Sequence, residues 1–300
     1  MTDDLRSLVA AELAEPVEPR AAMLAAAVAA LYPQAARAVL FYGSCLREKR
    51  LDGLMLDFYL IVSDYRAAYG KGWMATANRL IPPNVFPFEA GGLTCKYAVL
   101  SEADFARACS LGARDTSVWA RFAQPSRLVW SADEQARNGA IDAIVRAAPT
   151  LIALTEPTMA EEDFADPLDV WRAGFALTYG AELRAERATR SGSIVDADPD
   201  RYRRFLAAAR PVVGTTPPPT TEQRNRARNA WRRRQRRGKR LTLLRLAKAS
   251  ATFAGGLDYL AWKINRHAGT AMTIKPWQRR WPILGALTLL PRLLARGAVR

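Results

Sequence analysis

Residues 41–62 read Phe41-Tyr-Gly-Ser-Cys-Leu-Arg-Glu-Lys-Arg-Leu-Asp-Gly-Leu-Met-Leu-Asp-Phe-Tyr-Leu-Ile-Val62. An apolar run over residues 38–42 predicts a strand that delivers Gly43 and Ser44 to a turn. A polar segment follows, expected to open as a helix after Ser44. A second apolar run, residues 55–62, carries one embedded carboxylate, Asp57. This order suits a triphosphate. Glycine lets the backbone approach phosphate oxygens, and Ser44 offers both its N–H and its hydroxyl as donors. The first amides of the expected helix point at the same oxygens. A carboxylate on the adjacent strand suits Mg2+, which neutralises charge on the phosphates it bridges.

The pattern is similar to the triphosphate site of nucleotidyltransferases of the polymerase-β type. Ser44 and Asp57 stand thirteen positions apart, a spacing that motif commonly shows. The reaction implied is attack on a nucleotide's α-phosphate with pyrophosphate leaving. Most such enzymes carry acid-x-acid on the second strand, and here the first acid position holds Met55. A further metal-binding acid must come from elsewhere. The candidates are Asp52, Asp64 and Glu89, with Asp52 placed beside Asp57 as metal ligand; each alone also reads as a solvated loop charge.

The chain has 300 residues, half of them hydrophobic, enough for two domains with packed cores. Its net charge of +15 is concentrated. Residues 1–200 carry 20 basic and 27 acidic groups, whereas residues 201–300 carry 24 basic and 2 acidic. A mildly acidic body is therefore followed by a segment built for a polyanion, either nucleic acid or an anionic membrane. Three cysteines without pairing spacing, and a start without a basic n-region or apolar core, predict reduced thiols in a cytoplasmic chain. A single histidine, His267, excludes histidine zinc sites and Ser-His or Cys-His catalysis.

Along the chain, residues 21–31 predict an alanine-rich helix stopped by Pro33. The region from Gly70 to the Pro82-Pro83-Asn84 turn reads as irregular. Residues 95–100 predict a strand, and Ser101 predicts the N-cap of the next helix. Residues 136–155 and 166–190 predict helices, and residues 211–221, rich in proline, predict a linker. Residues 224–240 hold ten basic groups in seventeen, with Trp231 among them. Residues 241–264 set leucines against Arg245 and Lys248 at helical spacing. Residues 281–290 are apolar but end at Pro291, short of the roughly 20 residues a bilayer span needs. Basic, amphipathic and tryptophan-flanked, this end predicts a segment lying in a membrane interface, with Arg232, Arg233, Arg234, Arg236, Arg237, Trp277 and Trp281 touching lipid.

The order of motifs resembles the mitochondrial-type phosphatidate cytidylyltransferases, the translocator-assembly-and-maintenance family of CDP-diacylglycerol synthases. The resemblance rests on Tyr42-Gly-Ser-Cys45, Met55-Leu-Asp-Phe-Tyr-Leu-Ile-Val62 and Lys96-Tyr-Ala-Val-Leu100. It continues through Ser126-Arg-Leu128 in its loop, Ala176-Leu-Thr-Tyr-Gly-Ala-Glu-Leu-Arg184, Ser193-Ile-Val-Asp196, Tyr202-Arg-Arg-Phe205 and the run from Lys248 to Gly256. In all, residues 38–300 follow the family's order. The sequence departs over residues 63–88, where the family shows histidines and this chain has Asn78 and Asn84.

The resemblance implies an α+β fold. A polymerase-β-type nucleotidyltransferase domain (1–135) would precede a helical, winged-helix-like domain (136–213) and a basic amphipathic C-terminal segment (214–300). It implies CTP and phosphatidic acid as substrates, Mg2+ as cofactor, and an anionic membrane surface as partner. A bacterial member would sit peripherally on the cytoplasmic face of the inner membrane, with no nucleic acid expected. The phosphate monoester is already a nucleophile at neutral pH, so positioning and charge neutralisation suffice. Gly43, Ser44, Lys96 and Arg127 are the candidate nucleotide contacts; Ser44, Asp57 and Lys96 are the catalytic candidates. Glu182 and Arg184 are candidates for the cleft between domains. Two other readings compete: a nucleic-acid nucleotidyltransferase whose arginines grip RNA, and a non-catalytic membrane adaptor on a degenerate fold.

Overall fold

In the computed structural model the two apolar runs flanking the glycine turn lie side by side. The structure describes residues 3–48, 51, 53–70, 72–181, 194–214, 218–252 and 274–276. Strand β1 (Ala36–Tyr42) pairs antiparallel with β2 (Met55–Val62), and Tyr42 stands opposite Asp57. Three further strands, β3 (Asn84–Ala90), β4 (Leu93–Ser101) and β5 (Ser126–Ser131), complete a mixed sheet in the order β3-β4-β2-β1-β5. Only β2 and β4 run parallel.

Side chains alternate across a strand, so β2 divides its residues between two layers. Leu56, Phe58, Leu60 and Val62 enter one core with Leu24 and Val28 of helix α2 (Pro19–Ala30). Tyr59 and Ile61 enter the other. That second core is walled by α1 (Asp3–Ala14), α6 (Glu102–Ala108), α7 (Trp119–Phe122), α8 (Glu134–Ile144), α9 (Ala147–Thr155), α10 (Asp169–Tyr179) and α11 (Pro199–Val213). The architecture is α+β. Ile141, Leu151, Phe175 and Tyr202 share this core with Leu40, Tyr59 and Ile61, so side chains on either side of residue 135 pack together. Within residues 136–213, the described part is helical and holds no strand.

Several expectations are corrected. The region after β2 forms two helices, α4 (Tyr65–Tyr69) and α5 (Gly72–Leu80), rather than irregular chain. Residues 136–155 split into α8 and α9, because Pro149 has no N–H to continue a helix and its ring crowds the carbonyl of Val145. Residues 126–128, expected in a loop, begin β5. Pro211 ends no helix at once; it lies in the last turn of α11, where it has no N–H to give the carbonyl of Ala207, and the helix stops two residues later.

The basic run is neither linker nor loose tail. It forms α12 (Thr221–Thr252), a helix of 32 residues. Contacts along its length fasten one face of it to the body. Trp231, 2 % exposed, donates its indole N–H to Leu154 O at 2.7 Å and meets Trp119 edge-on at 6.3 Å. Gln235 donates to Leu177 O at 3.1 Å. Arg245 donates to Pro82 O at 2.6 Å and to Asp115 Oδ2 at 2.8 Å; Lys248 donates to Pro83 O at 2.9 Å and to Ile81 O. Arg245 and Lys248 thus turn inward, while Leu244 is half-exposed. The reason is local. Pro82 and Pro83 bring carbonyls without amides, and buried carbonyls need donors.

Two glycine substitutions test this docking with opposite signs. A Cβ at Gly238 would collide with the carbonyl oxygen of Ala181, whereas one at Gly139 of α8 meets nothing within 4 Å. In urea unfolding, Gly238→Ala is expected to cost about 1–3 kcal/mol through overpacking. Gly139→Ala is expected to add about 0.5–1 kcal/mol, as alanine does at an open helix position.

Candidate active site

Strand β1 ends at Tyr42, and the chain turns through Gly43 at φ 97° before Ser44 begins the short helix α3 (Ser44–Glu48). The register that sets Tyr42 opposite Asp57 places the carboxylate against this turn. A Cβ on Gly43 would stand 3.0 Å from Asp57 Oδ2. The left-handed φ and the lack of room therefore demand glycine for two separate reasons. Asp57 belongs to the sheet face of Tyr59 and Ile61, but its side chain remains 20 % exposed. On the other side, parallel pairing sets Lys96 of β4 directly opposite Asp57, and its ammonium meets Asp57 Oδ1 at 2.9 Å. Glycine turn, carboxylate and lysine converge at one end of the sheet.

The surrounding groups narrow the chemistry. Cys45 is buried and its thiol donates to Met55 O at 3.5 Å. Burial, and then the charge of Asp57, pushes the Cys95 thiol up to about 12. Neither cysteine is placed to serve as a thiolate nucleophile. Arg127 pairs with Phe41 in the sheet, which puts it on the face opposite Asp57, and it forms an ion pair with Glu15. The structure does not bring Arg127 together with the other three.

Of the proposed metal acids, Asp52 lies outside the described residues. Asp64 lies beyond the far end of β2 and is committed to capping α4, accepting from Arg66 N at 2.7 Å and Ala67 N at 3.0 Å. Glu89 stands on β3 opposite Thr94, two strands from β2, about 10 Å at usual strand spacing. Among the described residues, no three His, Cys, Asp or Glu side chains gather as metal ligands. One part-exposed carboxylate beside a glycine turn does fit a single Mg2+ that takes its other ligands from nucleotide phosphates and water. A two-metal arrangement finds no second carboxylate among the described residues.

The sequence marked Asp57 and Lys96 separately and missed that they form a pair. Their signal was the parallel register of β2 and β4, which apolar runs alone do not encode. Of the five arginines expected at a lipid surface, Arg232, Arg233, Arg236 and Arg237 are exposed on α12. Arg234 is half-buried, its guanidinium 5.3 Å from the Trp231 ring centre; burial, then the charge of Arg237, lowers its pKa. Glu182, Arg184, His267, Trp277 and Trp281 lie outside the described residues. No helix among the described residues is long and apolar enough to cross a membrane. No family model matches the chain, and a search of curated proteins finds no match.

The packing of Gly43 on Asp57 separates a folding effect from a site effect. Gly91, at φ 60°, has nothing within 4 Å of its would-be Cβ. Gly91→Ala should cost about 1–2 kcal/mol of stability, the usual penalty for a left-handed alanine, and Gly43→Ala should cost more, because its Cβ also meets Asp57 Oδ2. Only Gly43→Ala should weaken binding of a Mg2+-triphosphate, read by titration calorimetry.

Proposed function

We propose that this chain is a phosphatidate cytidylyltransferase of the kind its motif order resembles, built on a polymerase-β-type nucleotidyltransferase unit. The observation that carries the reading is the packing of the Gly43 turn against Asp57, with Lys96 paired to the same carboxylate. In the proposed reaction an oxygen of the phosphatidate monoester attacks the α-phosphorus of CTP. The bond from that phosphorus to the β-phosphate bridging oxygen breaks, and pyrophosphate carries away the electron pair. The nucleophile arrives deprotonated, so a site without histidine suits it.

The chain's own groups would act by placement. The backbone at Gly43 admits phosphate oxygens closely, and Ser44 supplies donors to them. Lys96 exchanges part of its contact with Asp57 for the incoming phosphates, supplying positive charge where negative charge gathers. Asp57, with Asp52 as the second candidate, would hold Mg2+, whose role is to neutralise the triphosphate. The exposed arginines of α12 would keep the body on an anionic surface, each contributing about 1 kcal/mol. Those same arginines suit RNA phosphates equally well, and that reading is the alternative.

The test is pyrophosphate release from CTP and phosphatidate with Mg2+. Asp57→Asn should reduce it about 100-fold or more, the scale of losing one charge-stabilising group; undiminished turnover would end the enzymatic reading. Replacing Arg232, Arg233, Arg234, Arg236 and Arg237 together by Gln should lower the ratio of activity on vesicles to activity on short-chain substrate. An unchanged ratio, with loss of an RNA gel shift, would transfer those arginines to the nucleic-acid reading.

A further inference from the structure

Away from the Asp57 pair, four arginines line a single pocket: Arg79 of α5, Arg107 of α6, Arg114 of the following loop and Arg245 of α12. The lining also includes Leu100, four residues beyond Lys96 on β4 and so about 13 Å further along the strand. A phosphate held here is not the one that would react beside Asp57. Two carboxylates share the lining, Asp104 in an ion pair with Arg107 and Asp115 in one with Arg245 at 2.8 Å. The pocket therefore keeps an excess of positive charge. Arg79 and Arg114 supply it, both exposed and neither in an ion pair among the described residues.

Exposed apolar side chains stand beside these lining residues in sequence. Leu80 adjoins Arg79 and is 67 % exposed; Leu244 adjoins Arg245 and is 50 % exposed. Leu111, 58 % exposed, lies in the loop between Ala108 and Ala113, both of which line the pocket. Trp73, 57 % exposed, precedes Leu80 by two helical turns and shares its face of α5. Four of the eight large hydrophobic side chains exposed among the described residues are gathered on these three segments.

We propose that this pocket clamps the phosphate of an anionic phospholipid in a bilayer surface, with Leu80, Leu111, Leu244 and Trp73 entering the headgroup–acyl boundary. Guanidinium forks match phosphate oxygens, and apolar side chains left in water gain by entering that boundary. The helix that supplies Arg245 also carries the exposed arginines 232, 233, 236 and 237, so α12 links the pocket to the basic face. RNA would occupy the arginines but leave the leucines wet. The inference deepens the membrane part of the proposed function and rests on it, not on cytidylyl transfer.

The experiment is sedimentation of the full chain with phosphatidylcholine vesicles, with and without phosphatidylglycerol, in the absence of nucleotide. Failure of the cytidylyltransferase reading therefore leaves its outcome untouched. The double variant Arg79→Gln/Arg114→Gln should weaken binding to anionic vesicles about thirtyfold, two cations at about 1 kcal/mol each. Leu80→Ser/Leu111→Ser should weaken vesicle binding without changing binding of glycerol 3-phosphate. Brominated acyl chains should quench the wild type more than Trp73→Phe, a readout that needs no variant of the pocket. Three results would overturn the proposal. One is unchanged pelleting of both double variants with unchanged melting; another is glycerol 3-phosphate binding that alone responds to the arginine pair. The third is an RNA shift that responds to that pair while vesicle binding does not.

Discussion

Asp57 occupies the space a side chain at residue 43 would need, and Gly43 leaves it vacant at φ 97°. This close approach ties together elements the chain makes separately. It requires the β1–β2 register that sets Tyr42 opposite Asp57, and the β2–β4 register that sets Lys96 on the carboxylate's other side. A slip of one residue in either pairing would move Asp57 to the face of Phe58 and Leu60 and bury it among them. The two apolar layers are thus what hold the polar trio in place. Phe58, Leu60 and Val62 on one face, with Tyr59 and Ile61 on the other, leave the strand no alternative register with comparable burial.

The parts of the fold written in local chemistry were legible from sequence. The apolar runs of β1, β2 and β4 announced strands, Ser101 announced a cap, and its hydroxyl does accept from Asp104 N at 3.2 Å. What escaped depends on distant partners. The edge strands β3 and β5 carry Pro87 and Arg127 and lack strong apolar alternation, so pairing with β4 and β1 defines them. Helices α4 and α5 lie among glycines and prolines that read as turns, and Asp64 looked like a free carboxylate until its capping bonds were visible. At the candidate site, Gly43, Ser44 and Asp57 could be read from spacing. The attachment of Lys96 to Asp57, and of Arg127 to Glu15, could not.

The basic helix α12 shows how a strongly charged segment docks without a wide apolar stripe. Trp231 is buried at 2 % exposure, and Gly238 lets the helix backbone come close to Ala181. Most remaining attachments are donors meeting carbonyl oxygens, from Arg228 at Thr158 O to Lys248 at Pro83 O, with Arg245 also paired to Asp115. This leaves the opposite face free to carry arginines. Cations turn inward at the helix end because the surface receiving it presents the carbonyls of Ile81, Pro82 and Pro83.

The carbonyls of residues 81–83 take their donors from positions 163 to 167 residues later in the chain. A ribosome completes the sheet's β3–β4 hairpin long before it makes those donors, so water must hold that corner while synthesis continues. Helix α12 is therefore a closing piece of the body itself rather than an appendage. A shortened chain stopping before Arg245 would emerge with an exposed polar seam at the start of β3, a natural point for degradation machinery to grip.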